Sequence, residues 1–534
     1  VEVGATALVR DHNQIVLAND MKLQLFQLLG EKTASPAGIW MLLILILVQT
    51  TGAQPTNSET PLGELRTQLE DQLAAPRFSE ALWGVKIASL DTGKIIYENY
   101  PDRLMSPASN GKLYSAALAL DRLGGDYQFA TAVYATSGPD FSGEVRGNVI
   151  VCGSGDPSWK ATNFWDNFAP FLAILKNAGV RRIDGDLIAD NTFFQGPPTG
   201  ASWSVDDLED YYGAEISALT LDDNTVQLRV SPGARISDPA TLELVQPDTG
   251  LVLINQTKTI SSRGEPNLTT FKLPGTKTVY VSGQIPDHNS AEFLDVPVTE
   301  PAAWFITALE DALAKQGIMV HGRAYDLAWP ERPFWSRADL VKLGEVKSPP
   351  LRQLVRDFLK VSQNLETDLV FDHLGEQSRS PDVPRETTSE QLAVARLEEF
   401  IASRGLPAEV YFDEGSGLSR NDLTSANATV ALLTLMSTNR WAGDFYDALP
   451  VAGVDGSLRH RMRGKPAFRN VHAKTGTLRW ANSLSGYVSS AAGEKLVFSL
   501  MLNRYEPPPD RSPTEELDDI VVKLAAFTGR SDQP

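Results

Sequence analysis

Strand-like sequence lies near both ends of this chain, and the long stretch between is patterned differently. Trp83–Leu90 and Lys94–Tyr97 flank Asp91-Thr92-Gly93, a hairpin turn signal. Near the other end, Ala473–Leu478, Asn482–Ser489 and Lys495–Leu502 read as three strands, the last two joined by Ala491-Ala492-Gly493-Glu494. Helical sequence is expected over Leu62–Leu73, from Pro107 to Leu123 before Gly124-Gly125, and over 350–374, 388–404 and 424–438. Ser512-Pro513-Thr514-Glu515 opens a final helix with an N-cap, a proline at N1 and a capping-box glutamate, and Gly529 closes it. From 128 to about 330 the pattern is short Val/Ile/Thr-rich runs, such as Val226–Val230, Leu242–Val245, Leu251–Ile254 and Val279–Ser282, with helices near 163–178 and 300–316. The economical fold is α/β of the α+β kind. An antiparallel sheet is drawn from both chain ends, helices flank it, and β-rich domains are inserted.

The composition narrows the chemistry. A net charge of −19 without a basic cluster argues against nucleic acid as a partner. The single cysteine, Cys152, excludes an intrachain disulfide framework and a cysteine zinc site, and it follows strand-like Asn148–Val151 as a small buried hydrophobe. Histidines at 12, 288, 321, 373, 460 and 472 form no His-Glu-x-x-His, so no metal or other cofactor is expected. The stretch from Met21 carries Lys22, Lys32, an unbroken apolar run Ile39–Val48 and then Thr51-Gly52-Ala53. That run is shorter than the roughly 20 residues that span a bilayer and suits a signal-peptide core, with an uncleaved anchor as the alternative. The expectation is a leader over 1–53, a mature chain from near Gln54 in the periplasm or extracytoplasmic envelope, and weak or no membrane association after cleavage.

Three short motifs carry chemistry. Ser109-Asn110-Gly111-Lys112 is the only Ser-x-x-Lys in the chain, and it falls on the opening turn of a helix, where i and i+3 share a face. A lysine held neutral by burial can take the serine proton and make the hydroxyl a nucleophile. Ser362-Gln363-Asn364 lies in the helical stretch 350–374 and offers a proton-relaying hydroxyl and a hydrogen-bonding amide. Lys474-Thr475-Gly476-Thr477 lies on a strand, where a glycine fits if another group must approach the backbone closely. Lys474 and Thr475 could bind a carboxylate there, and a strand N–H could join an oxyanion hole. No Gly-x-Ser-x-Gly occurs, so an α/β-hydrolase elbow is unsupported, and Gly415-Ser416-Gly417 reads as a loop framing the site.

In this order the motifs resemble those of the serine penicillin-recognising enzymes, Ser-x-x-Lys, Ser-x-Asn and Lys-Thr-Gly. The spacing of about 250 residues between Ser109 and Ser362 narrows the resemblance to the D-alanyl-D-alanine carboxypeptidase/endopeptidases, the class C low-molecular-mass penicillin-binding proteins. Pro107–Leu113, Gly153–Pro157, Tyr211–Ala214, Ser217–Leu219, Asp223-Asn224, Gly415–Arg420 and His472–Thr477 carry it across nearly the whole mature chain. Gln363 stands where that family often has Asp, and Glu215 where it usually has Pro.

The resemblance implies a transpeptidase-like domain split over 62–130 and 340–530, with 131–339 as two inserted β-rich domains, one nested in the other. It implies that Ser109 attacks the D-Ala-D-Ala carbonyl, Lys112 takes its proton, and Ser362 beside Lys474 passes a proton to the leaving D-alanine. Asn364 would bind the substrate peptide, and Thr475 and Thr477 the terminal carboxylate. The N–H groups of Ser109 and Thr477 would form the oxyanion hole, and Gly476 would belong to the substrate-binding strand. Asp207 and Arg420 would grip a free amino and carboxyl end of a diamino acid. Partners would be peptidoglycan peptides ending in D-Ala-D-Ala, with β-lactams as inhibitors. The alternatives are a β-lactamase-like or esterase-like hydrolase on the same fold, and a non-catalytic cell-wall-binding protein.

Overall fold

A computed structural model describes residues 60–247 and 249–533, so the expected leader over 1–53 lies outside the described residues. Its organising element is a five-stranded antiparallel sheet in the order His472–Leu478, Ala481–Ser489, Lys495–Asn503, Leu82–Ser89, Ile95–Asn99. The join between the two chain ends runs in unbroken register from Leu82 opposite Asn503 to Ser89 opposite Leu496. The central strands are buried on both faces, which explains why Lys495–Asn503 reads as a near-continuous apolar run rather than an alternation. One face packs on the helices Pro61–Leu73 and Pro513–Ala526, through Leu65, Leu69, Ile520 and Leu524 against Val85, Ile87, Phe498 and Leu500. The other face is covered by helices including Lys112–Arg122 and Ala426–Ser437, through Leu113, Ala428 and Leu432 against Ala88, Tyr487 and Val497. The last helix begins as its sequence dictates: Ser512 and Glu515 form a reciprocal capping box.

The stretch expected as one helix over 350–374 is two. Leu351–Val361 ends at Ser362, which sits in the left-handed region with φ 66° and ψ 40°, and Asn364–Gln377 starts afresh with Gln363 as its N-cap. Apolar periodicity runs through the break, because Phe358, Leu359, Leu365 and Leu369 are all buried. Nothing in a non-glycine residue announces left-handed geometry beforehand. The break turns Ser362 out of the helical ladder.

Residues 130–347 build a second body of sheets on the same molecule. Ala130–Ala135 enters it and Val341–Lys347 leaves it, paired antiparallel in a five-stranded mixed sheet with Val149–Cys152, Leu187–Asp190 and Ala324–Leu327. Helices Ala169–Asn177 and Pro301–Lys315 pack on it. Between Leu187–Asp190 and Ala324–Leu327 lie two three-stranded sheets, one of Thr225–Ser231, Thr241–Leu244 and Glu292–Pro297, the other of Val252–Ile260, Asn267–Lys272 and Thr278–Pro286. One apolar core is continuous through all of these. The body meets the helix Asn364–Gln377, where Phe194, Ile216 and Ala218 pack on Leu365 and Leu369. Lys160 pairs with the buried Glu366 of the same helix.

Candidate active site

Ser109 lies in a single 3-10 turn, Ala108–Gly111, that leads directly into the helix Lys112–Arg122. The turn is wedged between two glycines brought from far along the chain. A Cβ at Gly417, whose φ is +81°, would lie 2.0 Å from the carbonyl oxygen of Ala108. A Cβ at Gly476 would lie 2.5 Å from the carbonyl oxygen of Pro107 and 3.1 Å from the nitrogen of Ser109. That close approach is the reason for a glycine in this strand. Ala108 itself is held at φ 48°, a conformation costing about 1–3 kcal/mol that persists where the surroundings over-determine it. Gly476→Ala is therefore expected to lower the rate of acylation by a penicillin at least about 100-fold, through displacement of the Ser109 turn. A time course with fluorescent penicillin checks this, and an unchanged rate would show that the approach has no bearing on the chemistry.

Four of the five side chains expected to act in catalysis are hydrogen-bonded in two pairs. Lys112 Nζ lies 3.0 Å from Ser109 Oγ, 2.5 Å from Asn364 Oδ1 and 2.6 Å from the carbonyl oxygen of Ser416. Asn364 is thus tied to the first pair, and its Nδ2 donates to the carbonyl of Tyr212 at 2.9 Å. Lys474 Nζ donates to Ser362 Oγ at 2.7 Å and to the carbonyl of Thr475 at 2.8 Å. Both lysines are completely buried. Burial pushes Lys112 down to about 8, against the opposing pull of the buried carboxyl cluster made by Asp368, Glu414 and Asp422. Burial, with Lys112 as a second cause, holds Lys474 well below the usual lysine range. Among the described residues Lys474 has no carboxylate partner, and its acceptors are the Ser362 hydroxyl and the Thr475 carbonyl.

These groups open onto a cleft of about 790 Å³ lined by Ser109, Ser362, Asn364, Thr475 and Thr477. Its strand wall, His472–Leu478, is the edge strand of the sheet, so one side of its backbone is free to meet an extended ligand. Thr475 Oγ1 is held 2.7 Å from Ser457 Oγ, while Thr477 is exposed. Asp207 and Arg420 also line this cleft. Asp207 is buried in the 3-10 turn Val205–Glu209, with Oδ2 accepting from the N–H and hydroxyl of Ser204. Arg420 is exposed and makes one long contact, 3.3 Å, to the carbonyl of Arg479. Of the expected site residues, Lys112, Lys474 and Gly476 are buried behind the cleft and the others line it.

Several contributors escape the sequence. The carbonyl of Ser416 accepts from Lys112, that of Tyr212 accepts from Asn364, and Ser457 steadies Thr475. Main-chain acceptors leave no trace in residue identity. The pairing of glycines in Gly415-Ser416-Gly417 was the available signal for a loop that must come close to something.

A buried-lysine serine turn set against an edge strand carrying Lys-Thr-Gly defines the class: a penicillin-recognising serine enzyme. Residues 65–524 match the D-Ala-D-Ala carboxypeptidase 3 (S13) family, and the chain belongs to that family of serine peptidases. It is 31% identical over 516 residues to a D-alanyl-D-alanine carboxypeptidase of Actinomadura sp. (strain R39), covering 94% of this chain and 92% of that one. The D-alanyl-D-alanine carboxypeptidase DacB of Haemophilus influenzae is 25% identical, over 80% of this chain and 86% of its own. The fold matches that of penicillin binding protein 4 from Haemophilus influenzae with a TM-score of 0.71 at 24% identity, over 86% of this chain and 97% of that one. The same protein complexed with a β-lactam gives a TM-score of 0.67 at 23% identity, with the same coverage.

Proposed function

We propose that this chain is a D-Ala-D-Ala peptidase that cleaves peptidoglycan stem peptides through an acyl-enzyme on Ser109, and that β-lactams inhibit it by forming the same ester. The observation that carries this is the contact of 3.0 Å between Ser109 Oγ and the buried amine of Lys112. Once Lys112 is neutral it accepts the Ser109 proton as Oγ attacks the carbonyl between the two D-alanines. The N–H groups of Ser109 and Thr477 receive the oxyanion, the Ser109 N–H standing against the strand at Gly476. Ser362 relays a proton from Lys474 to the departing D-alanine nitrogen, so the amine gains one proton for the one that Ser109 gave up to the lysines. Lys474, Thr475 and Thr477 hold the terminal carboxylate. Asn364 orients the peptide. Water then hydrolyses the ester, and a β-lactam persists because its acyl-enzyme hydrolyses slowly.

The block 131–339 is an insertion that supplies one wall of the cleft, and Asp207 from it, with Arg420, holds the amino and carboxyl groups of a diamino acid in the stem. The substrate places the enzyme outside the cytoplasm. Among the described residues no helix is long and apolar enough to cross a membrane. A stem pentapeptide is the decisive substrate: incubation should release one D-alanine per peptide, with cross-linked dimers testing endopeptidase action. Binding of peptidoglycan without D-alanine release would favour a wall-binding role instead. Because protonated Lys112 cannot act as base, acylation should rise roughly tenfold per pH unit up to about 8 and level off above it.

A further inference from the structure

Behind Lys112 lies a group of buried carboxyls that the reaction above does not use. Glu414, fully enclosed, spreads its two oxygens beneath the loop 415–419. Oε1 accepts from the N–H groups of Gly417 at 2.7 Å and Ser419 at 3.1 Å. Oε2 accepts from the N–H and the hydroxyl of Ser416, both at 2.6 Å. The loop it holds is the one whose Ser416 carbonyl accepts from Lys112, and whose Gly417 packs on Ala108.

Asp368, from the helix Asn364–Gln377, and Asp422 flank Glu414, and all three are at most 2% exposed. Asp368 Oδ1 accepts from the N–H of Gly415 at 3.2 Å, and Asp422 Oδ1 from that of Asp413 at 2.8 Å. Their remaining oxygens, Oδ2 in each case, have no donor. Anchored on the N–H groups of Gly415 and Asp413, the residues on either side of Glu414, the two aspartates set their carboxyls against its own. A carboxylate only accepts, so two carboxylates can face a third at hydrogen-bond range only if each outer one carries a proton. Three ionised carboxyls crowded in a dry interior are also prohibitively repulsive.

We infer that Asp368, Glu414 and Asp422 form a three-carboxyl unit with two protons and one negative charge, the charge resting on Glu414. We further infer that this unit positions Lys112 through the Ser416 carbonyl and sets the pH at which Lys112 becomes a base. The second statement rests on the reading of Lys112 as the proton acceptor. The two outer aspartates donate to Glu414, and the loop N–H groups complete its hydrogen bonding. A single anion so placed raises the proton affinity of Lys112, while desolvation lowers it. Burial and the neighbouring Glu414 hold Asp368 and Asp422 well above the usual carboxyl range. The hydrogen bonds from Asp368, Asp422 and Ser416 outweigh burial and keep Glu414 below it. Other charged or titratable groups acting on the unit are Asp372, Glu390 and Asp413, and Lys112 itself.

Infrared difference spectra of the full chain at neutral pH test the proton count. Asp368→Asn and Asp422→Asn should each remove one protonated-carboxyl stretch, and Glu414→Gln should remove none. An Asn variant that removes no such band would overturn the two-proton unit, whatever Lys112 does. The pH dependence of acylation by fluorescent penicillin tests the coupling. Each Asn variant keeps its acid limb where the parent has it, since an amide and a protonated acid both donate and both are neutral. Adding Glu414→Gln to the double Asn variant removes the last negative charge and should move the limb about one pH unit lower. If the single Asp368→Asn already moves it by that amount, the charge is not on Glu414. Failure of Lys112 as the base would show separately, as full acylation activity in a variant lacking its amine. If the triple variant does not fold, the infrared bands and the two single Asn profiles still decide.

Discussion

Ser109→Ala should abolish the penicillin adduct. Intact-mass measurement after incubation with penicillin should show one added acyl group on the parent and none on the variant, a loss of at least about 10³-fold in acylation. The experiment matters because the cleft holds two Ser–Lys pairs, and distance alone favours the other one: Lys474–Ser362 is 2.7 Å against 3.0 Å for Lys112–Ser109. The surroundings discriminate. Ser109 lies on the turn that opens a helix and against the backbone of the edge strand, where N–H groups favour developing negative charge. Ser362 stands between the C-terminus of Leu351–Val361 and the N-cap of Asn364–Gln377, where opposed helix ends meet and offset each other. Ser416, a third hydroxyl nearby, is fully buried and already donates to Glu414. Among the described residues, the only partner of Ser109 Oγ is Lys112, so the alanine variant should keep its stability to within about 0.5 kcal/mol. An adduct surviving in that variant would move the nucleophile to Ser362.

Lys112→Met should give a different signature: the adduct still forms, but about 10³-fold more slowly, as expected when a general base is lost and the nucleophile is kept. Methionine replaces the length and volume of the lysine stem without an amine. The substitution leaves Asn364 Oδ1 and the Ser416 carbonyl without their donor, an exposure of buried acceptors worth about 1–3 kcal/mol each, partly offset by removing a buried ionisable group. Stability and rate must therefore be measured together, by thermal unfolding and by an acylation time course. A folded Lys112→Met protein that acylates at the parent rate would remove Lys112 from the reaction. The remaining acylation should also lose its acid limb near pH 8, because the group that titrates there is gone.

Much of this architecture was legible because it is written in local pattern. The turn at Asp91-Thr92-Gly93, the capping box at Ser512 and Glu515, and the alternation of Thr225–Ser231 each follow from near neighbours. The pairing of Ser109 with Lys112 was legible for the same reason, since a spacing of three on one helical turn brings the two side chains together. The break at Ser362 was not. Its apolar flanks continue the helical period, and the left-handed residue is a serine where a glycine would have given warning. Short strands such as Arg182–Ile183 were equally silent, having too few residues to show a period. The support for Lys112 was least visible of all. It depends on a carbonyl from residue 416 and carboxyls from 368, 414 and 422, which meet only after folding. An aspartate in a helix normally reads as a solvated face, and Asp368 gives no local hint that it is enclosed.

The sheet register has a consequence in time. Leu82–Ser89 has a local partner in Ile95–Asn99, but its other edge pairs only with Lys495–Asn503, so the first described strand waits for almost the entire polypeptide before both its edges are satisfied. Pairings so distant in sequence carry a large loop-closure cost and slow the late stages of folding. The Ser109 turn is shaped by Gly417 and Gly476, both made hundreds of residues after it. A nascent or truncated chain ending before His472 would carry Ser109, yet hold neither the strand that braces its turn nor Lys474. The geometry around Ser109 is therefore complete only when the last strands close on the first.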